Sequence, residues 1–387
     1  MRILHVGLFL ELGSGQRAQL GYERHAARSL EEAYWDTHTL TPADARTDEG
    51  PQVPRWARRF QLHKLFTWLH IRRHAAQYDA VLMRSLSPDP FAIFMAPLIP
   101  NLFTVHHSKE IEELTLVTRG ARRAITLFLE GPLKTWAFRG LRGVIGVTNE
   151  ITKYESRRFP RASVAATYPN GIDVDKIDVA DEPAADAPTV HAVFVSTVFY
   201  AWQGLDRLLD SLAEIEATTG PPPVVVHLIG ELEPSDRALA HQLSARGLVQ
   251  IHGVLDRESV HQVFSQSQVA IASLALDRKD LREASTLKVR EYLASGLPVY
   301  STHVDAGLPQ GFPFYYCDDN GFNFARMVDF LAEMPDRGRM TVREAARPHI
   351  DKLAIMRSLV AQLGTLNSSA APKERRGTAD ARRRGSS

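Results

Sequence analysis

The feature that most constrains this chain is a pattern repeated along its whole length: a short apolar run of strand length, a loop of small or polar residues, then a helical stretch. The first unit is Arg2-Ile3-Leu4-His5-Val6-Gly7-Leu8, followed by Gly13-Ser14-Gly15 and a helix predicted from about Gln16 to Glu32. Further strands are predicted at Ala80 to Met83, Asn101 to Val105 and Gly143 to Val147, and again from His191 at Val224 to Ile229, Val249 to His252 and Val269 to Ser273. Strands alternating with helices in this way build parallel sheets covered by helices on both faces, and ligands gather where the strands end. The fold class is α/β.

With 387 residues, 44% of them apolar and 24% charged, the chain is long enough for two such domains. Tyr168-Pro169-Asn170-Gly171-Ile172-Asp173 is a strong turn, and the polar, acidic stretch after it reads as a linker. Residues 1–172 then form one domain, 173–188 the linker, 189–366 a second domain whose last helix is free to pack back on the first, and 367–387 a disordered basic tail. The single cysteine, Cys317, excludes internal disulfides and multi-cysteine metal clusters and suits a reducing compartment. No basic-then-apolar leader opens the sequence, and no run approaches roughly 18 uninterrupted apolar residues. The expected location is cytoplasmic, or peripheral at the inner face of the cell membrane. A net charge of +1 says little about partners, and no specific nucleic-acid contact is expected.

The segment Arg282 to Thr302 carries the strongest chemical signal. Ser285 and Thr286 are good N-caps before a run from Leu287 to Ala294 with apolar residues at helical spacing, and Gly296 and Pro298 end it. The first amides of that helix have no intrahelical partner and stand at the positive end of its dipole, a seat for phosphate to which Lys288 adds a full charge. Glu283 precedes the helix, and Glu291 lies about 9 Å along its axis from the cap. Alone, two glutamates at this spacing are common by chance, and an acid before a helix has the plain role of favouring its dipole.

The neighbours change that weighing. Glu283-x7-Glu291 followed by Ala294-x-Gly296-x-Pro298-Val299, with Leu287-Lys288-x-Arg290-Glu291-Tyr292 inside it, resembles the signature of the retaining GT-B glycosyltransferases, above all a family 4-like subgroup that builds polysaccharides and glycans. Pro169-Asn170-Gly171-Ile172-Asp173 resembles the hinge of that family, and Trp202-x-Gly204-x-Asp206-Arg207 a trait of the subgroup. The resemblance implies two Rossmann-like domains facing each other across a cleft. It also implies transfer of a hexosyl or related group from a UDP- or GDP-sugar, used as substrate, to a glycan or polyprenyl-linked acceptor, with no cofactor and no metal. Glu291 would hold the ribose, Ser285, Thr286, Leu287 and Lys288 the diphosphate, and Glu283 the sugar hydroxyls. His106, in a Thr-Val-His context, would complete the catalytic site from the first domain.

The family often places an arginine and a Lys-Gly before the first helix of the donor domain, where this chain has Thr197 and Gln203-Gly204; the cations left to compensate are Lys288, Arg290 and Arg207. Gly230, Glu231, Gly253 and Val254 are expected around the base, with strand termination as their plain role. On the acceptor side stand Gly15, His107, Thr148 and Glu150, although capping alone explains Thr148 and Glu150. Glu110, Glu112 and Glu113 read as a solvated helix start. The basic, aromatic-bearing segment Pro54 to His74, with Leu62, Leu65, Phe66 and Leu69 on one face, suits either an anionic membrane or the core, and Arg119 to Arg142 repeats the theme. Two alternatives remain: a GT-B nucleotide-sugar epimerase, and a non-catalytic nucleotide-sugar-binding partner in a glycan assembly complex.

Overall fold

A computed structural model of the chain describes residues 1–10, 13–42, 52–54, 56–57, 61–183, 189–220, 222–334 and 336–369. The first sheet contains β1 (Arg2–Leu8), β2 (Tyr34–Pro42), β3 (Gln52–Val53), β4 (Ala80–Arg84), β5 (Leu102–His106), β6 (Gly143–Gly146) and β7 (Val164–Thr167), in the order β3-β2-β1-β4-β5-β6-β7. The following strands are β8 (Val190–Val198), β9 (Val224–Glu231), β10 (Val249–Gly253), β11 (Val269–Ile271), β12 (Glu283–Ala284), β13 (Val299–Ser301), β14 (Val304–Asp305) and β15 (Tyr315–Cys317). They form a second sheet, β10-β9-β8-β11-β13-β15, and a separate short pair, β12-β14. All pairings are parallel. Each large sheet reverses its winding beside its first strand, between β1 and β4 and between β8 and β11, which opens a crevice at the strand ends.

Both sheets are buried on two faces, so their strands are apolar almost throughout. In β4, Val81 and Met83 join one core with Leu4, Trp68 and Ile71, while Leu82 points to the other with Ile3, Phe103 and Val105. The last helix, Lys352–Ser369, returns to the first domain and buries Ile355, Met356, Leu359 and Leu363 in that second core. The chain therefore passes between the sheets twice, and the two passages are bonded together: Ile172 N–H donates to the Ile350 carbonyl at 3.0 Å, and Lys352 N–H to the Ile172 carbonyl at 2.7 Å. The segment after the turn is less free than its polarity suggests. Val174 and Ala180 are buried, and the Arg343 guanidinium donates to the Val174, Ile177 and Ala294 carbonyls.

The helix Leu62–His74 packs into the core, with Trp68 and Ile71 fully buried and Trp68 Nε1 donating to Asp89 at 2.8 Å. Its buried side is rotated from the face expected for lipid, since Leu69 is exposed. Arg55, Arg58, Arg59 and Phe60 of that segment, and the basic tail from residue 370 onward, lie outside the described residues. No described helix is long and apolar enough to cross a membrane.

Beneath the first sheet lies a buried network of charges that corrects two expectations. His106 is fully buried, its Nδ1 2.8 Å from Glu110 Oε1 and its Nε2 2.8 Å from Thr104 Oγ1. Both ring nitrogens are thus engaged away from the crevice, and His106 is a structural residue. Glu110 is buried rather than solvated. Burial would raise its carboxyl, but His106, Lys134 and Arg158 beside it hold it well below the ordinary range. Lys134 donates to Glu130 at 2.6 Å and Ser85 at 2.9 Å, and Arg158 binds Glu155 through both carboxylate oxygens. Removing one member leaves its partners charged and unpaired. Lys134→Ala should therefore cost about 3–5 kcal/mol in urea unfolding, whereas a loss near that of a surface lysine would contradict the pairing.

Candidate functional site

The helix Leu287–Ala294 begins at the crevice. Thr286 stands at its N-cap with extended backbone, yet Thr286 Oγ1 is buried and makes no hydrogen bond. The first amides of this helix therefore lack their usual side-chain partner and keep their capacity for an external anion. Lys288 Nζ lies 2.7 Å from Gln203 Oε1 and 5.3 Å from the Phe194 ring. Burial pushes this lysine down to about 7, and the nearby Glu291 only partly opposes the shift.

Lys288 and Glu291 share a cleft of about 570 Å³ with Leu287, Thr197, Gln203 and, from the opposite domain, Gly15. Gly15 is in the first turn of the helix Ser14–Arg28, whose N-cap is Gly13 with no side-chain cap. Two helix N-termini thus border one space. Glu291 also borders an adjoining groove of about 880 Å³ with Tyr22, Leu255, Arg257, His261 and Tyr292. Burial raises the Glu291 carboxyl, against the pull of Arg257 and Lys288. Among the described residues the cleft wall gathers no trio of metal-ligating side chains. Amides, a lysine and a carboxylate are the donor set for a phosphate and a hydroxyl-bearing ligand.

Two glycines shape this wall. Gly230 has φ +131°, and a Cβ there would stand 1.6 Å from the Ser196 carbonyl oxygen, so only glycine lets β9 pass behind the cleft residue Ser196. Gly204, at φ +76°, brings the Gln203 loop against Leu274 and Ala275, with 2.9 Å left for a Cβ. Glu231 is exposed and its carbonyl accepts from Phe199 N–H. Neither Gly253 nor Val254 lines the cleft or the groove; Val254 is 72% exposed, and Leu255 takes the place expected for them.

Several residues expected at the donor are committed elsewhere. Arg207 grips both oxygens of Asp277 at 2.9 and 2.8 Å and the Leu274 carbonyl at 2.9 Å, which makes it a brace for the loop after β11. Arg290 is fully buried, pairs with Asp305, and donates to the Asn170 carbonyl and Ser285 Oγ, each at 3.0 Å. Ser285 Oγ also accepts from Asn170 N–H at 2.8 Å, so Ser285 joins the helix to the Pro-Asn-Gly turn instead of facing the cleft. Of the three compensating cations expected from sequence, Lys288 alone borders the cleft.

Glu283 lies at the seam between the domains. Its Oε2 accepts from Glu150 N–H at 2.9 Å, in the first turn of the helix Asn149–Arg158. In return Glu150 Oε2 accepts from Arg282 N–H at 2.8 Å and Glu283 N–H at 3.0 Å. Lys109 pairs with Glu150 at 2.9 Å and Asp280 at 3.1 Å. Burial alone would raise the Glu150 carboxyl; these partners hold it below its ordinary value. Thr148 is buried and caps Ile151 N–H at 3.1 Å.

His107, the residue after β5, is placed differently from His106. It borders a small cavity with His5, Gln19, Arg84, Tyr168 and Asn170. Burial and the nearby Arg84 hold the His107 ring well below the usual histidine range. Arg84, which stacks 4.9 Å from the Phe9 ring, was not singled out from sequence; its place at the end of β4 was the available signal.

Residues 189–332 match the model of a family described as glycosyl transferases group 1. No curated protein matches the chain. Among solved structures the chain is similar to Anabaena HepE in complex with UDP and glucose, at 16% identity over 94% of this chain and 100% of that one, with a TM-score of 0.56. It is also similar to a glycosyltransferase from Rickettsia africae, at 13% identity, 94% and 98% coverage and a TM-score of 0.59. The lipopolysaccharide outer core galactosyltransferase WaaB gives 12% identity, 95% and 99% coverage and a TM-score of 0.58. These likenesses span both sheets, and the fold they share with this chain is GT-B: two Rossmann-like domains across a cleft.

Proposed function

We propose that the protein is a glycosyltransferase that moves a sugar from a nucleotide-diphosphate sugar to a glycan or lipid-linked acceptor. The observation that carries this reading is the meeting of Lys288, the uncapped helix start at Thr286 and the Glu291 carboxylate in one interdomain cleft. Support comes from the family match over the second domain and from HepE, solved with UDP and glucose. In the reaction the bond from the anomeric carbon to the β-phosphate oxygen breaks, the nucleoside diphosphate leaves with the electron pair, and the acceptor hydroxyl adds and loses its proton. The amides at Leu287 and Lys288 and the Lys288 ammonium stabilise the leaving diphosphate, and Glu291 holds the ribose. Glu283 turns to the sugar hydroxyls when the donor breaks its contact with Glu150. Retention of configuration is the outcome expected from the Glu283-x7-Glu291 resemblance. In this reading His107 and Arg84, which border one small cavity of the first domain, stand on the acceptor side.

For a lipid-linked acceptor, the surface best suited to anionic membrane is the Arg119 to Arg142 region. There Ile125, Phe128 and Trp136 are exposed, as are Arg122 and Arg123, and Arg139 lies 5.4 Å from the Trp136 ring. An epimerase would interconvert UDP-sugars without acceptor, and a binding partner would release no nucleoside diphosphate; acceptor-dependent release of nucleoside diphosphate distinguishes the transferase from both.

Three outcomes are expected. Lys288→Ala should weaken nucleoside-diphosphate binding about 10- to 100-fold, and Gln203→Ala, which removes only the partner of the lysine, about 2- to 10-fold; equal losses in calorimetric titration would contradict the lysine's role. Because Lys288 is charged below about pH 7 and must gain a proton to bind a diphosphate above it, affinity should be flat below pH 7 and fall toward roughly tenfold per unit above it. A flat profile through pH 9 would exclude this titration. Sedimentation with phosphatidylglycerol vesicles should be reduced by Phe128→Ser, and equal sedimentation of the variant and the parent would remove this surface from the acceptor path.

A further inference from the structure

A second cluster of titratable groups lies in the first domain, apart from the cleft. His70 and His74 are one turn apart on the helix Leu62–His74, and His38 reaches them from β2. One potential ligand atom from each of the three lies within 4.8 Å of the other two, and all three side chains are half-buried. The ring centroids are 4.4 Å apart for His70 and His74, 5.0 Å for His38 and His70, and 5.4 Å for His38 and His74.

The surrounding hydrogen bonds orient two of these rings as ligands are oriented. His38 Nε2 is 3.2 Å from Asp36 Oδ2, and Asp36 is itself fixed by the Tyr78 hydroxyl at 2.8 Å. A proton on His38 Nε2 leaves Nδ1 as the free lone pair. His74 Nδ1 donates to the His70 carbonyl at 2.8 Å, which leaves Nε2 available. Carboxylate and carbonyl acceptors behind imidazoles are the usual supports of metal-bound histidine. His38 Nδ1 and His70 Nε2 are 2.9 Å apart and share one proton between them. A tetrahedral ion with nitrogen ligands at about 2.0–2.1 Å would hold such atoms about 3.3 Å apart, so His38 and His70 need open by only a few tenths of an ångström, while His74, whose ligand atom lies within 4.8 Å of theirs, moves in to complete the set. The shared proton then moves to His70 Nδ1.

We propose that His38, His70 and His74 bind a divalent transition-metal ion of the zinc class, with water in the fourth position and Asp36 supporting His38. Three imidazoles without thiolate favour zinc, nickel or cobalt over calcium or magnesium. None of the three borders the cleft or its adjoining groove, so the ion serves as a clasp between β2 and the helix Leu62–His74 and takes no part in the proposed transfer. The inference is independent of the transferase reading.

The test uses untagged full-length protein, stripped with a chelator and titrated with zinc by calorimetry and with cobalt by visible absorption. The expected result is one equivalent bound at micromolar affinity or better, with a cobalt d–d band and a raised Tm. His70→Gln and His74→Gln should each weaken binding at least tenfold and abolish the band, with circular dichroism unchanged. Asp36→Asn should weaken binding while leaving the three ligands in place, and His252→Gln, in the other domain, should bind as the parent does. Absence of saturable binding, or parental affinity in His70→Gln, would overturn the proposal.

Discussion

The arrangement of the cleft depends on one buried guanidinium. Arg290 projects from the helix Leu287–Ala294 and is completely enclosed, where it meets the Asn170 carbonyl, Ser285 Oγ and the Asp305 carboxylate. An arginine in such a place is tolerable only with all of these partners, since an unpaired buried charge costs several kcal/mol. Its bonds fix three things together: the Pro-Asn-Gly turn where the chain leaves the first domain, the loop before the helix, and the β12-β14 pair that carries Glu283. The helix start is thereby held in a set relation to the opposite domain.

That fixed helix accounts for the electrostatics of the site. With Arg290 and Arg207 occupied by carboxylates, Lys288 is the cation left at the cleft wall among the described residues, and Gln203 offers it only a neutral acceptor. A lysine so placed is poorly compensated until an anion arrives, which is the condition under which a diphosphate gains most from meeting it. Glu283 shows the complementary state. Its carboxylate caps a helix of the opposite domain through Glu150 N–H, while Glu150 returns the bond to Glu283 N–H. The seam therefore holds the domains together through a residue that the proposed reaction needs, which links domain closure to donor engagement.

Much of the architecture was legible because strands buried on two faces must be apolar. The runs at Val81-Leu82-Met83 and Phe103-Thr104-Val105 could be read directly, as could the Pro-Asn-Gly turn and the helix after Thr286. The same double burial hid the direction of His106 and His107. When both sides of a strand are covered, alternation carries no sign of which side faces a ligand, and the structure turns His106 inward onto Glu110 and Thr104. Charged residues were the other gap: Arg290, Lys134 and Glu110 look solvated in sequence, and only their partners, distant along the chain, make their burial possible. The histidine trio divides the same way, with the spacing of His70 and His74 local and the contribution of His38 visible only once β2 lies beside the helix.

The proposed function requires that this cleft recognise a nucleoside diphosphate through Lys288 and the adjoining helix amides. It is tested most directly by calorimetric comparison of UDP and GDP with their monophosphates, on the parent chain and on Lys288→Met. The better-bound diphosphate should exceed its monophosphate at least tenfold in affinity, and the preference should largely disappear in the variant. Equal binding of di- and monophosphate by the parent, or a preference untouched by Lys288→Met, would contradict it.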